Sequence, residues 1–204
     1  MVVVVDYGLG NIRSVSKALE KKGATVKVTS DASRIKKAQG IVLPGVGAFY
    51  RGMENLKKLK IIDVLKDEVE KGKPFLGICL GLQLLFSESE EHTKSEGLNI
   101  IKGTVTKFSQ GVKIPHMGWN QIQYKDEAEC CQVFNGIQNG SYFYFVHSYF
   151  VVPQDKSLIC TTTSYGEEFT SSIMKDNIYG VQFHPEKSQA QGLKILDNFL
   201  NLIR

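Results

Sequence analysis

The 204-residue sequence predicts an α/β fold: a central, mainly parallel sheet flanked by helices, with antiparallel strands added in the second half. Three observations predict it. Through the first half, short apolar runs alternate with stretches of helical periodicity, which is βαβ repetition. Beyond about Gly97, strand-like segments crowd together and helical patterning nearly vanishes. A last amphipathic stretch, Leu193 to Ile203, closes the chain.

Val2 to Val5 is a continuous apolar run, as expected of a parallel strand covered on both faces. Ile12, Val15, Ser16 and Leu19 follow at helical spacing until Gly23 stops them. Ala24 to Thr29 reads as the second strand, Ile35 to Ala38 as a short helix and Gly40 to Leu43 as the third strand, with Pro44 breaking it. Two helical stretches run from about Met53 to Lys71. Pro74 to Ile78 is the next strand, followed by a helix carrying Leu82, Leu85 and Phe86. In the second half Val105, Phe108, Ile114, Ile122, the aromatic run Tyr142 to Phe150, Leu158 to Thr163, Ser171 to Met174 and Ile178 to Phe183 read as strands. Leu193, Leu196, Phe199, Leu200 and Ile203 form the apolar face of the final helix. No linker, repeat or low-complexity tract interrupts the pattern, so residues 1–204 are expected to form a single domain.

Composition narrows the function. Twenty-five basic and 21 acidic residues leave a formal charge of +4, too small to mark a nucleic-acid protein, and paired lysines such as Lys21-Lys22 suit solvated helix faces. The apolar N-terminus ends at Asp6, far short of a signal peptide or a membrane span. Cys79 and Cys160 stand alone and Cys130 adjoins Cys131, which is neither a secreted disulfide framework nor a CxxC metal site. A cytoplasmic protein with reduced thiols, no membrane partner, no metal and no cofactor is expected.

Chemistry concentrates in Phe75-Leu76-Gly77-Ile78-Cys79-Leu80-Gly81-Leu82-Gln83, where a strand runs directly into a helix with a cysteine at the bend. Gly77 and Gly81 supply the tight turn and close packing that a Gly-x-nucleophile-x-Gly elbow needs. Cys79 would then stand above the sheet at a helix N-terminus, where the dipole favours negative charge and backbone N–H groups can hold an oxyanion. A lone cysteine in a Gly-rich strand end is more often structural; the elbow spacing is what singles out Cys79.

A thiol that attacks a carbonyl needs a base that later protonates the leaving amine, and the chain offers His92, His116, His147 and His184. Pro185 keeps His184 out of helical geometry, and residues two apart in extended chain point the same way, so Glu186 can hold the imidazole from behind. His-Pro-Glu alone reads equally well as a surface turn. His147 competes as base but sits inside an aromatic strand with no acidic neighbour, which suits a core or pocket-wall histidine. Gln83, one helical turn after Cys79, can reach substrate held over the sulfur or can simply be a polar residue on a half-exposed helix. Pro44-Gly45-Val46-Gly47 should open onto the same sheet edge and can present an N–H to an oxyanion, or can be only a tight turn. Gly8-Leu9-Gly10-Asn11-Ile12-Arg13 has arginine where a dinucleotide fingerprint needs its third glycine, so a Rossmann site is rejected and the turn is assigned to the active-site edge.

With these residues in view the chain resembles the class I, triad-type glutamine amidotransferases, and within them the glutaminase subunits of imidazole glycerol phosphate synthase. The Gly-x-Cys-x-Gly elbow and the late His-x-Glu are shared by the class. The more specific stretches are Asp6 to Asn11, Pro44 to Phe49, Pro115-His116-Met117-Gly118-Trp119-Asn120 and His184 to Ser188. The resemblance implies a flavodoxin-like fold and a Cys79-His184-Glu186 triad that hydrolyses L-glutamine, with Gly45, Val46 and Gly47 as oxyanion loop. It further implies glutamine-binding roles for Gly47, Gln83, Ser148 and Tyr149, an ammonia exit near Tyr144, and partner contacts at Met117, Trp119 and Lys187. The implied partner is a separate (β/α)8 cyclase subunit in a heterodimer, since one domain consumes the chain and leaves no synthase module. Three rivals stay open: a paralogous glutaminase feeding another synthase, such as one modifying a surface sugar; a stand-alone thiol hydrolase; and a non-enzymatic flavodoxin-like binding module.

Overall fold

Val2 to Val5 is buried at all four positions, and successive valines feed opposite sides of one sheet. Val2 and Val4 join Val15, Leu19, Ile195, Leu196 and Phe199, whereas Val3 and Val5 join Ile35, Leu56, Leu65 and Val69. A strand with two apolar faces is stable only between two layers of cover, which is the three-layer α/β/α arrangement. This computed structural model describes residues 1–91, 94–109, 111–125 and 131–203.

In chain order the first half comprises β1 (Val2–Val5), α1 (Ile12–Lys21), β2 (Val26–Thr29), α2 (Ala32–Lys37), β3 (Gly40–Gly45), α3 (Phe49–Lys58), α4 (Ile62–Glu70), β4 (Phe75–Cys79) and α5 (Leu80–Gln83). The second comprises β5 (Phe86–Ser89), β6 (Ser95–Glu96), β7 (Ile101–Lys107), β8 (His116–Gln121), β9 (Gln123–Tyr124), β10 (Tyr142–His147), β11 (Tyr149–Pro153), β12 (Ile159–Tyr165), β13 (Glu167–Lys175), β14 (Ile178–Val181) and α6 (Gln189–Asn201). The main sheet runs β2-β1-β3-β4-β14-β13-β11-β7-β5-β6, with β12 and β9 attached beside β13. Its first five strands are mutually parallel, and β13, β11, β12 and β9 add antiparallel pairings. β8 and β10 form a separate antiparallel ribbon.

The sequence expectation holds for the sheet and differs from the structure at several element boundaries. Pro44 does not end β3: it sits inside the strand opposite Ile78, beyond Val42, where pairing with β1 stops, so its missing N–H leaves no gap in the β1 ladder. The first helix after Gly45 begins at Phe49, earlier than Met53. α5 is a single turn, and Phe86 already starts β5; Leu82, Leu85 and Phe86 are buried whichever element carries them, so their spacing does not distinguish helix from strand. The run Tyr142 to Phe150 is two strands, because at Ser148 the chain leaves the β8–β10 ribbon for the main sheet. Ile114, Phe108 and Ile122 flank strands rather than belong to them. His92 and Cys130 lie outside the described residues; Cys79 and Cys160 are free thiols. No helix among the described residues is long and apolar enough to cross a membrane.

Candidate active site

β4 delivers Cys79 to the carboxyl edge of the sheet, at φ 53° and ψ −107°. A non-glycine residue there carries strain of about 1–3 kcal/mol, stored where a sharp strand-to-helix bend pushes the side chain out of the sheet. The flanking glycines are required by close approach. A Cβ on Gly77 would lie 2.8 Å from the Gly81 carbonyl oxygen, and one on Gly81 only 1.7 Å from the Leu43 carbonyl oxygen, so no larger residue fits either position. Because α5 is one turn long, its dipole contributes less than a full helix would, and the principal counter-charge comes from elsewhere.

That charge is His184. Its backbone is extended, with φ −100° and ψ 96°, and the following residues Pro185–Lys187 turn as a 3₁₀ helix rather than continuing extended. This turn swings Glu186 behind the ring, and Nδ1 of His184 lies 3.0 Å from Oε1 of Glu186 with both side chains almost wholly buried. A carboxylate only accepts, so Nδ1 carries a proton and Nε2 is the nitrogen left available. Burial works against a charged imidazole, but the Cys79 sulfur and then the Glu186 carboxylate outweigh it and push His184 up to about 10. Among the described residues Nε2 has no partner of good hydrogen-bond geometry, and the sulfur acts on it chiefly through space. Ser188 holds this corner: its hydroxyl donates to the His184 carbonyl at 2.7 Å and accepts from Tyr144 N at 2.9 Å.

A cavity of about 470 Å³ opens beside Cys79. Val46, Gly47, Gln83, Ser148, Tyr149 and Lys187 line it, as do Leu80, Glu91 and Pro115. Gly45 ends β3 directly opposite Cys79, and Gly47 adopts φ 107°, which favours glycine. Gln83 is not free to swing over the sulfur: its Nε2 donates to the Tyr149 carbonyl at 2.8 Å and to Gln182 Oε1 at 3.1 Å. His147 is a buried pocket-wall residue, and burial holds it down at about 3. Trp119 and Tyr144 meet edge to face with ring centroids 6.1 Å apart, and Lys187 Nζ lies 5.6 Å from the Tyr144 centroid. Met117 and Trp119 project from β8 with 62% and 46% of their surface exposed, and Tyr142 joins them at 55%.

Sequence reasoning missed Gln182, whose amide donates to Cys79 Sγ at 3.6 Å, although an amide inside the apolar run Ile178 to Phe183 was a signal. It also missed Ser188 and Glu91; the latter accepts from Phe49 N at 2.5 Å at the start of α3.

A family profile described as glutamine amidotransferase class-I matches residues 3–202. The chain belongs to that family. Among curated members, the imidazole glycerol phosphate synthase subunit HisH of Aquifex aeolicus (strain VF5) is 56% identical over 198 residues, covering 97% of this chain and 94% of that protein. The HisH subunit of Pyrococcus furiosus is 53% identical over 202 residues, covering 98% of each. Solved structures share the fold at lower identity. A structure of PurLQS from Thermotoga maritima superposes with a TM-score of 0.75 at 22% identity, over 100% of this chain and 98% of that chain. A crystal structure titled glutamine amidotransferase gives 0.77 at 17%, over 100% and 99%. The amidotransferase fold thus accounts for the parallel half of the sheet and its strand-to-helix cysteine elbow.

Proposed function

We propose that this chain, as one domain of residues 1–204, is the glutaminase subunit of an imidazole glycerol phosphate synthase. The observation that carries the reading is that Cys79, which lines a cavity at the sheet edge, interacts with the buried His184–Glu186 pair. Near-full-length relatives bearing that name support the assignment of the pathway. L-Glutamine enters the cavity, and the Cys79 sulfur bonds to its side-chain carbonyl carbon. The oxygen gains the negative charge and is held by N–H groups of the Gly45-Val46-Gly47 loop. His184 Nε2–H protonates the amide nitrogen, the C–N bond breaks, and ammonia leaves a thioester on Cys79. Water, deprotonated by His184, then attacks the thioester and releases glutamate while the sulfur is restored. Besides glutamine and water, each step uses only groups of the chain, so the reaction as written calls on no cofactor and no metal.

Gln83, Ser148 and Tyr149 would hold glutamine, and Glu91, the one carboxylate lining that cavity among the described residues, would meet its α-ammonium. Ammonia would leave past Tyr144 into a cyclase subunit docked on Met117, Trp119 and Lys187, forming a heterodimer in the cytoplasm, where reduced thiols persist. Purified chain mixed with such a cyclase subunit and its nucleotide should convert glutamine to glutamate and build imidazole glycerol phosphate in equal amounts. Glutamate release with no imidazole product from any tested cyclase would assign the chain to another synthase. Glu186 acts through His184. Glu186→Gln, which keeps an acceptor near Nδ1, should cost roughly ten to a hundred times less in kcat than His184→Ala. Equal losses, measured as steady-state glutamate release, would give Glu186 a more direct part.

A further inference from the structure

Two buried histidines outside the triad are joined directly. His116 Nδ1 lies 3.0 Å from His147 Nε2, and His147 Nδ1 lies 2.9 Å from the Tyr149 carbonyl oxygen. At the other end, Asn120 Nδ2 lies 3.3 Å from His116 Nε2 and donates to the Ser164 carbonyl at 2.9 Å. A carbonyl only accepts, so His147 must carry its proton on Nδ1, which leaves Nε2 as the acceptor of a neutral ring. His116 must then donate from Nδ1 and accept at Nε2 from the Asn120 amide. The amide orientation agrees, because Asn120 Oδ1 accepts from Gln121 N at 2.8 Å. Donation therefore runs one way through three side chains with no conflict. Burial favours the neutral rings, holding His116 down at about 4; in His147 it outweighs the opposing effect of the bond to Tyr149.

The ends of this chain of bonds matter. The Tyr149 carbonyl also accepts from Gln83 Nε2, so it fixes an amide in the cavity beside Cys79. β8 alternates its faces: His116, Gly118 and Asn120 turn inward, whereas Met117, Trp119 and Gln121 are exposed. We propose that Asn120, His116 and His147 are positioning residues, a one-way hydrogen-bond relay tying the inner face of β8 to the Tyr149 carbonyl that orients Gln83 in the glutamine pocket. It rests on the reading of that cavity as the glutamine site. A partner that shifted the outer face of β8 would move the donor end of the relay with it.

Packing offers a competing role, since His116 also stacks on Phe145 and Tyr165, with centroids 5.1 and 4.0 Å away. Two variants separate the roles. His116→Phe keeps a ring in the stack but leaves His147 Nε2 without a donor. His116→Asn loses the ring but keeps an N–H two bonds from Cβ, where Nδ1 was. In the complex with a cyclase subunit, His116→Phe should raise KM for glutamine about tenfold with kcat within about threefold, and His116→Asn should hold KM within about threefold. Wild-type KM in the phenylalanine variant, or an equal loss in both, overturns the relay. Nitrogen-15 NMR of the unmutated chain at neutral pH gives an activity-independent reading: both rings should be protonated on Nδ1 and bare on Nε2. A proton on Nε2 of either ring also overturns it. An unmutated complex that fails to hydrolyse glutamine would instead refute the reading of the cavity, and the tautomers would still decide the relay.

Discussion

Cys79→Ala should lower glutamine hydrolysis by about 10⁴-fold or more, the scale on which losing a covalent nucleophile is felt. The effect should be confined to that chemistry. Alanine is no better suited than cysteine to φ 53°, so the bend is neither relieved nor worsened, and the surrounding contacts of Gly77 and Gly81 are backbone contacts that the substitution does not touch. Free ammonium should still support synthesis by the complex, because only its production from glutamine has been removed. Cys131→Ala and Cys160→Ala should each hydrolyse glutamine nearly normally: Cys131 begins a turn and Cys160 sits in β12, and neither lines the cavity. A Cys79→Ala variant with near-normal glutamate release would refute the nucleophile assignment, and with it the covalent mechanism.

The second large effect is expected from docking. Steady-state glutamate release by the isolated chain should rise by two to three orders of magnitude when a cyclase subunit and its nucleotide ligand are both present. A free glutaminase that ran at full rate would waste glutamine and lose ammonia to water. The Gly45-Val46-Gly47 loop has the means to prevent it. Gly47 holds a positive φ with nothing among the described residues within 4 Å of its missing Cβ, and Val46 is 40% exposed, so the peptide between Val46 and Gly47 has room to rotate, while Gly45 stays packed against Tyr7 and Leu80. One misaimed oxyanion donor is typically worth about 10²–10³ in rate, which sets the size of the expected activation. Docking can rotate the loop only if the partner contacts the active geometry better than the idle one. The exposed side chains of Met117 and Trp119 on β8, and Lys187 on the cavity rim, offer such contacts. Equal rates for the free chain and the liganded complex would remove the gating role while leaving the triad untouched.

The residues most readable in the sequence are those whose chemistry is local. Gly77, Cys79 and Gly81 announce an elbow because the glycines are demanded by backbone atoms within a few residues or on the next strand. His184 and Glu186 announce a pair because Pro185 constrains the turn between them. The parallel half of the sheet was equally readable, since Val2 to Val5 and Phe75 to Ile78 are apolar on both faces and helices separate them. What remained hidden depends on partners far along the chain. Pro44 survives inside β3 only because β1 has already ended beside it, which no property of Pro44 reveals. Ser148 divides two strands because one pairs with β8 and the other with β7, more than twenty residues upstream in each case. Gln182 reaches Cys79 across 103 residues of sequence, and His116 meets His147 across 31. Periodicity and spacing carry information about one element at a time. Which buried amide braces which sulfur, and which imidazole carries its proton on which nitrogen, is decided only when folding brings separate strands within hydrogen-bond distance.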